Sequence, residues 1–240
     1  MNQFFHFGDS YSTVKLHIPN NKHFCNIIAD ALNMEYLPFG IGGMSNEWVL
    51  TKILENLHRF KKGDIIFINF SFFERGVFYN KKLKKLEPTS PFYNDIYKFW
   101  SYEQAGHNHN IDEISPLVKY FVNNTEDYTR RIFNILNCVF NFINKLEVKI
   151  FYIFAGSTDY EDDLLKFGTN IKFEQGFSQW LIENGFHKEQ DVHYTLGIQP
   201  ILADGIMRKT DNLKSNNTKK IEMSINDFDL NKIVKANKLI

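Results

Sequence analysis

A serine stands just past the first apolar run of this chain, in Gly8-Asp9-Ser10-Tyr11-Ser12. A histidine lies near the other end, in Asp191-Val192-His193-Tyr194. A serine hydroxyl becomes a nucleophile when a histidine takes its proton and a carboxylate orients that histidine. A glycine turn directly after a buried strand projects the following side chain from the end of a sheet. A helix starting nearby aims backbone N–H groups at charge developing there. Taken alone, Gly-Asp-Ser reads equally well as a capped turn. In an extended segment residues i and i+2 face the same way, which places Asp191 within reach of His193.

The elements that would position these residues alternate between strand and helix. Gln3–Phe7 is a short apolar run ending at Gly8. Apolar residues from His23 to Leu32 recur at helical spacing. Tyr36–Phe39 is a second strand running into Gly-Ile-Gly-Gly, and Ser45 caps a helix marked by Trp48, Val49, Ile53, Leu54 and Leu57. Asp64–Phe70 is apolar nearly throughout, the pattern of a strand covered on both faces. The stretch 76–123 reads as an irregular insertion with one or two short helices. The spacing then predicts a long helix over Thr125–Lys145, with Tyr128, Ile132, Ile135, Val139, Phe142 and Leu146 on one face. Val148–Ala155 is another buried strand, Phe177–Asn184 a helix ended by Gly185, and about Leu196–Met207 a last amphipathic helix. A loop carries Asp191 and His193 between the last two helices.

This alternation predicts a three-layer α/β/α domain over residues 1–207, flavodoxin-like, with a mostly parallel sheet of about five strands. Ligands in such folds sit at the carboxyl ends of the strands. Residues 208–240 are polar and rich in Lys and Asn. They read as a tail outside the core, partly disordered or docked as a helix.

Composition excludes several classes. Lys plus Arg and Asp plus Glu number 28 each, so there is no basic field to recruit nucleic acid or an anionic membrane. The run Lys81, Lys82, Lys84, Lys85 reads as a solvated surface. No apolar stretch is long enough to span a membrane and no signal peptide is visible, which reads as a cytoplasmic protein; a virion protein would look the same. Aromatics reach 16%, read mainly as core filling, with Trp48 and Trp180 inside. Cys25 and Cys138 sit in apolar helical patterns and read as buried free thiols. His6 reads as a packed or hydrogen-bonded core residue. His107 and His109 lack an identifiable third ligand for zinc, so neither a metal nor a cofactor is expected.

Four segments, in order and approximate spacing, resemble the sequence blocks of the SGNH (GDSL-like) hydrolase superfamily. They are GDSYS (8–12), GIGGMSNEWV (40–49), DIIFINFSFFER (64–75) and DVHYTLGIQPILADGI (191–206). The resemblance covers about residues 3–207. It implies an esterase acting through an acyl-Ser10 intermediate, with His193 as base, Asp191 as its orienter, and no cofactor. The oxyanion would be held by backbone N–H groups of Ser10 and Gly43 and by a side chain of the third block. Ser71 fits that place by register. Asn69 fits it by chemistry, because an amide N–H is a fixed donor while a hydroxyl rotates. Asp9, Arg75 and Trp100 are candidate substrate-binding residues, although Arg75 also suits an ion pair with Glu74.

Two positions depart from the family pattern. The family usually has Asp three residues before the histidine, where this chain has Gln190; a Ser–His dyad with a backbone carbonyl as orienter is the alternative to Asp191. The third block lacks the usual Gly-x-Asn-Asp. The implied substrate is a small-molecule or glycan ester, such as an acetylated carbohydrate. Transfer to a glycan hydroxyl, as in glycan O-acetyltransferases, and a non-catalytic module keeping the fold are the competing readings. The sequence does not bear on oligomeric state.

Overall fold

The computed structural model describes residues 1–9, 23–41, 44–73, 76–80, 85–89, 125–156, 164–188, 191–194, 196–211, 213 and 220–229. In the short strands 76–80, 85–89, 187–188 and 191–194 it describes the backbone course. The strands are β1 (Gln3–Gly8), β2 (Glu35–Gly40), β3 (Ile65–Phe70), β4 (Gly76–Asn80), β5 (Lys85–Thr89), β6 (Lys149–Phe154), β7 (Thr169–Phe173), β8 (His187–Lys188), β9 (Asp191–Tyr194) and β10 (Lys220–Met223). The α-helices are α1 (Phe24–Ala31), α2 (Asn46–Asn56), α3 (Thr125–Lys145), α4 (Phe177–Glu183) and α5 (Gln199–Lys209).

Six strands form one parallel sheet of order β10-β7-β6-β3-β1-β2. Parallel strands need long crossovers, and those crossovers put helices on both faces. One apolar layer joins the sheet to α1, α4 and α5; the opposite layer joins it to α2 and α3. The result is the expected α/β/α sandwich, with six strands rather than about five. Every residue of β3 is buried, as its unbroken apolar run requires. Pro38 is accommodated in β2 because that strand is the sheet's edge. Trp48, Trp180 and most described phenylalanines pack inside, as read from composition.

Several expectations change. The segment after residue 208 does not stay outside the core: Lys220–Met223 pairs in parallel with β7 as the far edge strand. Phe228 is buried against Trp180 and Phe173. Gly205 on α5 lies under this ring, and a Cβ there would overlap it. The strand was missed because only its Ile221 and Met223 face inward, a pattern too short to stand out of a polar tail. Thr169–Phe173 was missed for the same reason of length.

Inside 76–123 the described residues, 76–80 and 85–89, form an antiparallel hairpin, β4–β5; the rest of the insertion, where short helices are expected, lies outside the described residues. Asp191 and His193 lie on a strand, β9, paired antiparallel with β8, rather than in a loop.

Helix α3 has the expected bounds but a different inner face. Thr129, Ile132, Phe133, Leu136, Phe140 and Ile143 point inward, while Ile135 and Phe142 are about half exposed, at 48% and 49%. Cys138 is likewise exposed and only Cys25 is buried. Both stripes recur at three- and four-residue steps, so periodicity could not choose between them.

At the start of α3, the Tyr128 hydroxyl donates to Glu47 Oε2 at 2.6 Å, tying α3 to α2. Burial first, and the Glu47 carboxylate second, push the Tyr128 phenol far above its ordinary range. The folded chain therefore keeps a proton that the unfolded chain releases above about pH 10. Stability from this group is complete below that pH and is lost as pH rises further. In urea titrations from pH 9 to 11, wild type should lose more stability than Tyr128→Phe. For the edge strand, Phe228→Ala should cost about 3–5 kcal/mol in urea unfolding, with amide exchange fastest at Ile221 and Met223.

Candidate active site

In a doubly wound sheet, ligands bind where the strand order reverses, outside the carboxyl ends of the two strands concerned. Here β2 lies on one side of β1 and β3 on the other, so the reversal falls between β1 and β3. Their register pairs Gly8 with Asn69. Asp9 follows this pair on β1, and on β3 Phe70 still pairs with Phe154 of β6 before Ser71 leaves the sheet.

Polar groups concentrate at this junction. Asp9, Asn69 and Ser71 are all buried. The Ser71 hydroxyl donates to Asp9 Oδ2 at 2.9 Å, linking the ends of β1 and β3 side chain to side chain. Asn46, at the first turn of α2, grips the backbone of Ser71 from both sides. Its Oδ1 accepts the Ser71 N–H at 2.7 Å, and its Nδ2 donates to the Ser71 carbonyl at 3.1 Å. Ser45 caps α2 by accepting the Trp48 N–H at 3.4 Å, as its position after Gly-Ile-Gly-Gly-Met predicted. The N-terminus of α2 is thereby held against the exit of β3. Asn46 was not singled out from sequence. Its signal, an amide directly after a helix cap, is too common to mark a clasp.

One layer deeper, on the α1 side, lies a second polar group. Asn69 Nδ2 donates to His6 Nε2 at 3.3 Å, and His6 Nδ1 is 2.8 Å from the Tyr36 hydroxyl. His6 is fully buried, the hydrogen-bonded core residue expected. Burial, and then the neighbouring His23, hold its pKa well below the usual imidazole value. His23 caps α1, its Nδ1 accepting the Cys25 N–H at 3.1 Å. Burial pushes the Cys25 thiol up. It also raises the Tyr36 phenol, with Cys25 adding to the effect. The Phe24 N–H is accepted by Gln199 Oε1 at 2.8 Å. This buried bond ties the start of α1 to the start of α5, the helix that follows the Asp191–Tyr194 strand.

Of the sequence-derived site residues, Asp9, Asn69 and Ser71 come together at the strand junction. Asp191 and His193 sit on one short strand, two residues apart, whose side chains are not described. Ser10, Gly43, Arg75 and Trp100 lie outside the described residues, as do His107 and His109. Asp9 is turned inward onto Ser71. Among the described helices, none is long and apolar enough to cross a membrane.

No family profile and no curated protein sequence matches the chain. Solved structures do. TesA is 12% identical with a TM-score of 0.45, over 89% of this chain and 98% of that one. The psychrotrophic esterase EstA from Pseudoalteromonas sp., inhibited by monoethylphosphonate, is 9% identical with a TM-score of 0.45, over 89% and 98%. The acetyl xylan esterase Est2A from the rumen bacterium Butyrivibrio proteoclasticus is 10% identical with a TM-score of 0.43, over 88% of this chain and 64% of that one. Likenesses this distant assign no residue and no substrate to this chain.

The Asn46 clasp is directly testable. Asn46→Asp keeps the acceptor and loses the Nδ2 donor, whereas Asn46→Ala loses both. Leaving buried backbone groups unpaired costs about 1–3 kcal/mol each. Asn46→Ala should therefore be the less stable of the two by urea unfolding, with the larger gain in amide exchange at Ser71.

Proposed function

We propose that this chain is a serine-dependent ester hydrolase of the SGNH type, with Ser10 as nucleophile and His193 as base. The observation that carries the reading is the buried Ser71–Asp9 hydrogen bond at the β1/β3 reversal. It fixes the residue immediately before Ser10 at the place where doubly wound sheets hold their ligands. The likeness of the four sequence blocks to SGNH hydrolases adds the chemistry, with Gln190 and the altered third block as the departures.

In the proposed mechanism Ser10 Oγ attacks the ester carbonyl while His193 takes its proton. The tetrahedral intermediate collapses, His193 gives that proton to the departing alcohol, and an acyl-Ser10 ester remains. Water, deprotonated by His193, attacks the acyl carbon; the acid leaves and Ser10 recovers its proton. Asp191, two residues from His193 on an extended strand, orients the imidazole. Backbone N–H groups of Ser10 and Gly43 hold the oxyanion, with a side-chain donor beside them.

We take Asn69 rather than Ser71 as that donor. The single hydroxyl hydrogen of Ser71 is directed at Asp9. Asn69 offers an amide N–H, a donor whose direction is fixed by the amide plane. Arg75 and Trp100 are proposed to contact the substrate, with small acyl esters, including acetylated carbohydrates, as the class to assay first.

Wild type should turn over p-nitrophenyl acetate and be labelled at Ser10 by a fluorophosphonate. Ser10→Ala and His193→Ala should each lower kcat by about 1,000-fold or more. Asn69→Ala should lower kcat by about 100-fold with little change in KM. Absence of both turnover and labelling in wild type would remove the enzyme reading. Activity surviving Ser10→Ala would remove the nucleophile.

A further inference from the structure

We propose that His6, His23 and Cys25 form a binding site for a soft monovalent metal ion, Cu(I). The proposal does not rest on the ester chemistry, although His6 adjoins that site through its hydrogen bond with Asn69. One ligand atom from each residue lies within 4.8 Å of the other two, and all three residues are fully buried. The donors come from two elements that the fold holds together: His6 from β1, and His23 and Cys25 from the start of α1. A trigonal ion with bonds of about 2.0–2.3 Å holds its ligands roughly 3.5–4 Å apart. Closing this cluster onto an ion needs movements of about 1 Å, within the reach of side-chain rotation.

Charge and donor type select the ion. Nitrogen and thiolate donors favour soft or borderline metals over magnesium or calcium. Cys25 must lose its proton to bind, and one thiolate neutralises one positive charge. Among the described residues no carboxylate joins the cluster, so a divalent ion would leave a net charge in an apolar interior, which is costly. A monovalent ion leaves none. Three donors in a closed pocket also satisfy Cu(I), whereas structural zinc takes four.

The surroundings suit a ligand histidine. Asn69 Nδ2 donates to His6 Nε2, so that nitrogen carries the ring's lone pair, and an ion bound there would replace the Asn69 hydrogen bond. His6 Nδ1–H is then left to donate to the Tyr36 hydroxyl. This is the tautomer a metal-bound imidazole needs, with its second nitrogen held by an outer partner. An ion on His23 Nδ1 would replace the Cys25 amide hydrogen bond that this nitrogen now accepts.

The test is anaerobic titration of the full-length reduced protein with Cu(I), using bicinchoninate as competing chelator. One equivalent should bind, with an X-ray absorption edge of a three-coordinate ion carrying one sulfur and two nitrogens. Cys25→Ala and His23→Asn should abolish binding; asparagine still caps α1, so His23→Asn separates ligation from folding, checked by near-ultraviolet circular dichroism. Tyr36→Phe should weaken binding by about 10–100-fold. Cys138→Ser, which removes the exposed thiol, should leave it intact. Binding lost in Cys138→Ser, binding retained in Cys25→Ala or in folded His23→Asn, or no stoichiometric Cu(I) would overturn the site. Tighter binding of Zn(II) than of Cu(I) would overturn the assignment of the ion.

Discussion

A parallel sheet that winds outward in both directions from β1 must reverse once, and two strand ends are then left without a crossover passing over them. Here the reversal falls between β1 and β3. At that point the interior changes character. Along most of their length the two strands carry Phe and Ile into both layers. At their carboxyl ends they carry Asp9, Asn69 and Ser71 into buried positions. A buried carboxylate, amide and hydroxyl each carry a desolvation cost that hydrogen bonds must offset. The Ser71–Asp9 bond and the Asn46 clasp do so here.

Those bonds also fix geometry. Asn46 belongs to α2, on one face of the sheet; His6, Tyr36 and His23 reach the junction from the other. The crevice is therefore pinned from both layers. Gln199 adds a fixed relation between α1 and α5. The His6, His23 and Cys25 cluster sits beneath the same crevice because α1 starts at that end of the sheet.

Two elements show how tertiary context overrides pattern. Helix α3 offers two apolar stripes, and the sheet accepts the one with Phe133, Leu136 and Phe140. Their rings and methyls fill the space over β3 and β6, leaving Ile135 and Phe142 outside. The strand Lys220–Met223 has weak local character, yet β7 offers it a row of backbone partners. Phe228 beyond it anchors the segment between α4 and α5. Neither outcome follows from the residues concerned; each follows from the surface they meet.

The sequence by itself determined the fold class, the strands with long apolar runs, the bounds of α3, the Ser45 cap and the burial of His6. These depend on contacts a few residues apart, or on a hydrophobic count that any compact state must satisfy. Through the resemblance of its blocks to SGNH hydrolases it also marked Asn69 and Ser71 as oxyanion candidates and Asp9 as a substrate-binding one. Only the tertiary structure decided that Ser71 turns its hydroxyl to Asp9, that Asn46 clasps the strand exit, and that His23 and Cys25 come beside His6. Those pairings span 25 and 62 residues for Asn46 and Asp9 with Ser71. The energies that select them are the satisfaction of buried polar groups, which exist as constraints only once the sheet and its two helical layers have closed around them.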